Sequence, residues 1–137
     1  MTPDFIAAVL DTLLPGDDRL PSATRAGLPL AAYAEPHNAV LDAIAAQAGG
    51  PELFTRSDEA SRGNAVRAVE RAMSDAFRAL LAAALSDYYE SEPVLAALGW
   101  PTDPPQPAGH VPATMDDATA ARLDHVAHRR RLWRSES

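Results

Sequence analysis

From Asn64 to Glu90, apolar side chains recur every three or four residues: Val66, Val69, Met73, Phe77, Leu80, Leu81, Ala84, Leu85 and Tyr88. That period matches one face of an α-helix and no strand. Unbroken, such a helix is about 40 Å long at 1.5 Å per residue. Ser74-Asp75 marks a possible interruption. The apolar phase crosses it without a jump, so a continuous helix is expected. Arg71 with Asp75, and Asp75 with Arg78, stand at i,i+4 and i,i+3 and are expected to pair across the solvent side.

A helix of this length needs other helices to cover its apolar stripe, and the remaining sequence offers them. Thr2 is placed to cap a helix opening at Pro3, whose Phe5, Ile6, Val9, Leu10 and Leu13 share a face. Pro29 is placed to open a second helix, which Pro36 interrupts or restarts. Val40, Leu41 and Ile44 continue its apolar face until Gly49-Gly50-Pro51 stops it. Ser57 is a candidate cap in the polar stretch Thr55–Gly63. Near the end, Thr114 or Asp116 is placed to cap a last helix reaching about Leu132, with the weak apolar face Ala120, Leu123, Val126 and Ala127. No stretch alternates as a strand does. The expected fold is all-α: a single helical domain, residues 1–137, built as a bundle of about five to six helices. An extended proline-rich arm is expected at about 100–115 and a C-terminal helix at about 116–133.

Of the 137 residues, 29 are Ala. Alanine favours helix but buries little area, so the core rests on few large side chains and a stabilising partner becomes plausible. The net charge of −7 argues against nonspecific binding to nucleic acid or anionic membrane. There is no Cys, which removes thiolate catalysis and cysteine-based metal sites. No apolar run approaches the roughly 20 residues that span a bilayer. The N-terminus MTPDFIAAVLDTLL has neither a basic region nor a twin-Arg pair, so a cytoplasmic location is expected, or a periplasmic one for a trimmed mature chain.

The stretch Leu85–His110 carries most of the aromatic and proline punctuation. Ser91 is placed to cap a short helix with Pro93 in its first turn, and Gly99 stands where that helix ends. Trp100-Pro101 and Pro104-Pro105-Gln106-Pro107 follow, an extended, donor-poor tract. Such a tract either straps the chain's own helices or presents a surface to another protein. Tyr88 and Tyr89 point about 100° apart on a helix, one inward and one outward.

Several catalytic constellations fail on the residues themselves. Pro15-Gly16-Asp17-Asp18 has two acids but too few alternating oxygen ligands for calcium, and reads as a turn closed by its own carboxylate. His37 reads as a surface or capping residue. His125 and His128 stand at i,i+3, a spacing open to metal, with His110 as a distant third ligand; Asp124 is expected to point elsewhere. There is no nucleophile elbow, phosphate loop or dinucleotide fingerprint. Five Arg between Arg122 and Arg134 complement a helix C-terminus or pair with the acidic body.

Three blocks in order resemble the gluconate 2-dehydrogenase subunit 3 family. The first is Leu13-Leu14-Pro15-Gly16-Asp17-Asp18 with Pro21-Ser22-Ala23 and Ala26-Gly27-Leu28-Pro29. The second runs from Tyr88-Tyr89-Glu90-Ser91 through Val94 to Pro101. The third is Pro104–His110 with the closing Leu132-Trp133-Arg134. The resemblance implies a noncatalytic small subunit that binds and stabilises a large FAD-dependent flavoprotein of the glucose–methanol–choline type, which oxidises a sugar or sugar acid. A cytochrome subunit often completes such complexes. FAD then belongs to the partner, with no cofactor, metal or catalytic residue in this chain. The contact surface expected from the aromatic and proline residues is Tyr89, Trp100, Pro104, Pro105, Gln106, Pro107, His110 and Trp133. The alternatives are a stand-alone helical binding or regulatory protein, and a small metal enzyme using His110, His125 and His128.

Overall fold

Thr2 starts the first helix as its position suggests: its hydroxyl accepts the Phe5 N–H at 3.4 Å, and Pro3 opens α1 (Pro3–Leu13). The computed structural model describes residues 1–103 and 114–128. Among them the chain is all-α, with eight helices and no strand. Met1–Asp103 forms one compact unit; α8 lies in a second.

In the first unit, α1 is followed by α2 (Leu30–Ala34), α3 (Asn38–Gln47), α4 (Pro51–Arg56), α5 (Glu59–Ala72), α6 (Ser74–Glu90) and α7 (Glu92–Ala97). Pro36 does separate two helices, α2 and α3. His37 takes the backbone N-cap place of α3 without a side-chain cap bond. The count exceeds five to six because of short helices and one break. α4 was not anticipated. Pro51, read only as a stop, also serves as the first residue of a new helix, where its missing N–H costs nothing. That single turn and a half brings Phe54 to 0 % exposure, edge-on to Phe5 with ring centroids 5.4 Å apart. Arg62 fastens it by donating to the Phe54 and Thr55 carbonyls at the C-terminus of α4.

The expected continuous helix from Asn64 to Glu90 is two helices. Met73, at φ −134° and ψ 49°, leaves helical geometry between α5 and α6. The apolar phase runs on because Val66, Val69, Phe77, Leu80, Ala84 and Tyr88 are buried on both sides of the break, with Met73 half-buried between them. Periodicity reports burial and is blind to one residue's dihedral angles. The break also cancels the Arg71–Asp75 pair: Arg71 Nε bonds the Arg67 carbonyl instead at 3.1 Å. The Asp75–Arg78 pair survives at 3.5 Å, on the exposed surface. α5 begins earlier than expected, at Glu59. Its cap is Asp58, whose carboxylate accepts the Ser61 N–H at 2.8 Å, while the Ser57 hydroxyl bonds back to Leu53.

The core joins all seven helices of the unit through Phe5, Val9, Leu10, Tyr33, Leu41, Ile44, Phe54, Val69, Leu80 and Val94, each at most 2 % exposed. The connection between α1 and α2 also contributes, through Ala23, Ala26 and Leu28. Its path is fixed by hydrogen bonds. Asp17 Oδ1 accepts the Arg19 and Leu20 N–H groups at 2.7 and 2.8 Å, the self-closed acidic turn expected from Pro-Gly-Asp-Asp. Asp11 accepts the Thr24 N–H and hydroxyl at 2.8 and 2.7 Å. At Gly16, φ is +72° and a Cβ would lie 2.5 Å from the Ser22 nitrogen, so no other residue fits there.

α8 (Asp117–Ala127) is capped by Asp116, which accepts the Thr119 N–H at 2.6 Å. None of its residues is buried, and Leu123 and Val126 are more than half exposed.

Candidate interaction surface

The end of α6 sorts its two tyrosines as helix geometry requires. Tyr88 is 4 % exposed and donates its hydroxyl to the Pro21 carbonyl at 2.6 Å; Tyr89 is 52 % exposed. Their rings meet edge to face with centroids 5.4 Å apart, so the buried ring braces the exposed one. Burial, and after it the nearby Tyr89 and Asp17, raises the Tyr88 phenol above its ordinary range. One residue before Tyr88, Asp87 accepts a hydrogen bond from the Tyr33 hydroxyl. Burial first, and then that bond and the carboxylate charge, also raise the Tyr33 phenol.

Only Ser91 separates α6 from α7. It holds extended N-cap geometry, but its hydroxyl donates to the Tyr88 carbonyl at 2.7 Å and does not cap α7 with its side chain. α7 buries Val94 completely and closes at Gly99, φ +74°. There the Trp100 N–H bonds the Leu95 carbonyl at 2.9 Å and the Gly99 N–H bonds that of Ala96 at 3.0 Å. This paired 6→1 and 5→2 closure is the Schellman motif. It fixes the backbone of Trp100 while leaving the residue 66 % exposed, with Leu98 beside it at 46 %.

Tyr89 near the end of α6, and Leu98 and Trp100 at the closure of α7, are therefore exposed on two consecutive helices that meet at the corner around Ser91. Of the residues expected at a contact surface, Tyr89 and Trp100 are here; Pro104, Pro105, Gln106, Pro107, His110 and Trp133 lie outside the described residues. Leu98 was missed: within Val94–Leu98 the sequence gives no sign of which Leu faces out, and the deciding fact is that it occupies the C-cap turn. Glu90, Glu92 and Asp103 are exposed along the same stretch. Against α7, Pro93 and the Asp17–Pro21 turn with Arg25 outline an open cleft of about 450 Å³. Asp17 is held below the usual carboxylate range by the two backbone bonds it accepts, so its charge in this cleft persists in mild acid.

On α8, His128 Nδ1 lies 2.7 Å from the Asp124 carbonyl oxygen and 3.5 Å from its carboxylate. Asp124 thus shares the His128 face rather than pointing elsewhere, as i,i+4 spacing dictates. No group of three or more His, Cys, Asp or Glu among the described residues is placed to hold a metal. No helix there is long and apolar enough to cross a membrane.

A scan against protein-family models finds no match for the chain, and searches of curated proteins and of solved structures find none either.

Proposed function

We propose that this chain is the noncatalytic small subunit of a heteromeric oxidoreductase. In this reading it binds and stabilises a large glucose–methanol–choline type flavoprotein that holds FAD and oxidises a sugar or alcohol. The observation that carries the proposal is the corner formed by α6 and α7. Trp100 and Tyr89 are large, exposed aromatics on a backbone pinned by the Schellman closure, and neither completes the chain's own core. Rigid aromatic residues of this kind are what an interface buries at its centre. The sequence blocks that resemble the small-subunit family also coincide with two shaped features, the Leu14–Pro29 connection and the α7–Trp100 turn.

Native purification from the source organism, with mass spectrometry and a visible spectrum, tests this. A yellow complex containing a polypeptide of flavoprotein size is the expected result. A colourless, well-folded monomer overturns it.

The second reading is a stand-alone helical binding or regulatory protein. Every buried side-chain polar atom among the described residues has a partner within one copy, and the core closes without help. Recognition of a small ligand by the purified monomer would establish this reading.

A further inference from the structure

Between Ala79 and Ala121 the chain contains no Arg or Lys at all, while the exposed Glu90, Glu92 and Asp103 fall along the stretch that bears Tyr89, Leu98 and Trp100. Among the described residues, Arg19 and Arg25 line the α7 cleft together with Asp17 and Asp18. We infer that this corner docks a partner protein whose surface offers an apolar recess ringed by Arg or Lys, with Trp100 seated in the recess and Glu90 and Asp103 facing the basic ring.

The charge pattern selects this occupant over the others. In a symmetric pair of copies the patch would meet itself, setting acids against acids around the apolar centre. Nucleic acid and anionic lipid are repelled by the same carboxylates. A basic protein surface gains from both parts of the corner: the aromatics bury, and the acids steer the encounter. The inference deepens the small-subunit reading by stating the chemistry its large subunit must present, yet it stands on charge and exposure alone.

The experiment places a photo-cross-linking benzoylphenylalanine at Leu98 of the full chain in cells of the source organism, and maps the adduct by mass spectrometry. It is repeated with Glu90→Arg and Asp103→Arg together, and with Glu90→Gln and Asp103→Asn. Both positions are exposed, so helicity by circular dichroism is expected to hold. The expected adduct joins Leu98 to a peptide of a different protein with Arg or Lys flanking the cross-linked residue. Its yield falls roughly tenfold in the charge-reversed chain and less in the neutral one. An adduct to this same chain, an adduct whose yield ignores the charge reversal, or no adduct overturns the inference. Whether the captured protein carries flavin is a separate readout: a basic but flavin-free partner would uphold the docking chemistry and sink the small-subunit reading.

Discussion

The Tyr88 hydroxyl donates to the Pro21 carbonyl at 2.6 Å, joining residues 67 positions apart. Through this bond the last turn of α6 holds the irregular connection between α1 and α2 against the core. Replacing Tyr88 with Phe keeps the ring and removes the donor, leaving the Pro21 oxygen without its partner. The expected loss is about 1–2 kcal/mol, read from urea unfolding. A midpoint unchanged from the parent chain would show that the bond does not hold the connection.

Glycine substitutions should separate close approach from backbone strain. Gly16→Ala puts a methyl group about where the backbone of Leu20 to Ser22 already lies, at 2.5–2.6 Å, and forces φ +72° on a non-glycine residue. Gly99→Ala carries the φ cost alone, with nothing within 4 Å of the added Cβ. The second change should cost about 1 kcal/mol. The first should cost at least twice that, as judged by thermal unfolding of both variants. Equal losses would mean that the Leu20–Ser22 backbone yields easily.

Much of this architecture could be read from single residues whose chemistry acts locally. Thr2 and Asp116 cap, Pro36 separates, Gly99 closes and Asp17 turns, because each task depends on one side chain and its nearest backbone. The apolar periods identified Phe5, Ile6, Val9, Val40, Leu41, Ile44, Phe77 and Leu80 as core for the same reason. What escaped depended on distant partners. α4 is too short to show a period, and exists because Phe54 has Phe5 to pack on and Arg62 to hold its end. The break at Met73 leaves no mark on hydrophobic phase. At the surface, Tyr89 and Trp100 were legible as outward aromatics, whereas Leu98 needed the turn to be seen.

Asp58 and Ser57 provide a direct check on which side chain starts α5. Asp58→Ala removes the acceptor of the Ser61 N–H and should lower the urea midpoint; Ser57→Ala, whose hydroxyl only bonds back within its own turn, should barely move it. The reverse order would restore Ser57 as the cap.

Stability should depend on pH from both ends. The Tyr33 and Tyr88 phenols are raised above their ordinary value of 10.0, chiefly by burial. The folded chain therefore holds these protons more tightly than the unfolded one. Their contribution is complete below pH 10 and is lost as pH rises through the folded values. Asp17, Asp58 and Asp116 are held below 3.8 by the hydrogen bonds they accept, so their contribution is present above that value and is lost as pH falls through the folded ones. Unfolding midpoints across the pH range should decline beyond both limits. In Tyr33→Phe the alkaline decline should be shallower, and an identical decline would assign it to other groups.

Trp100→Ala should leave the far-ultraviolet circular dichroism unchanged, since the residue is 66 % exposed and its backbone bonds do not need the side chain. Copurification of the flavoprotein subunit should weaken by about 2 kcal/mol or more if Trp100 is a central contact. Trp133→Ala is expected to act in the same direction. Retention of the partner by both variants would remove these tryptophans from the interface.

The bond from Tyr88 to Pro21 also sets an order of events in time. A ribosome adding roughly 5–20 residues per second needs about 3 to 13 s to travel the 67 positions between them. During that interval α1 and the connection after it can close only on each other, through Asp11 and Leu14, without α6 to hold them. The nascent chain thus spends seconds with Ala23 and Leu28 short of their full core, and a chaperone that favours exposed apolar segments would meet this protein by its first thirty residues.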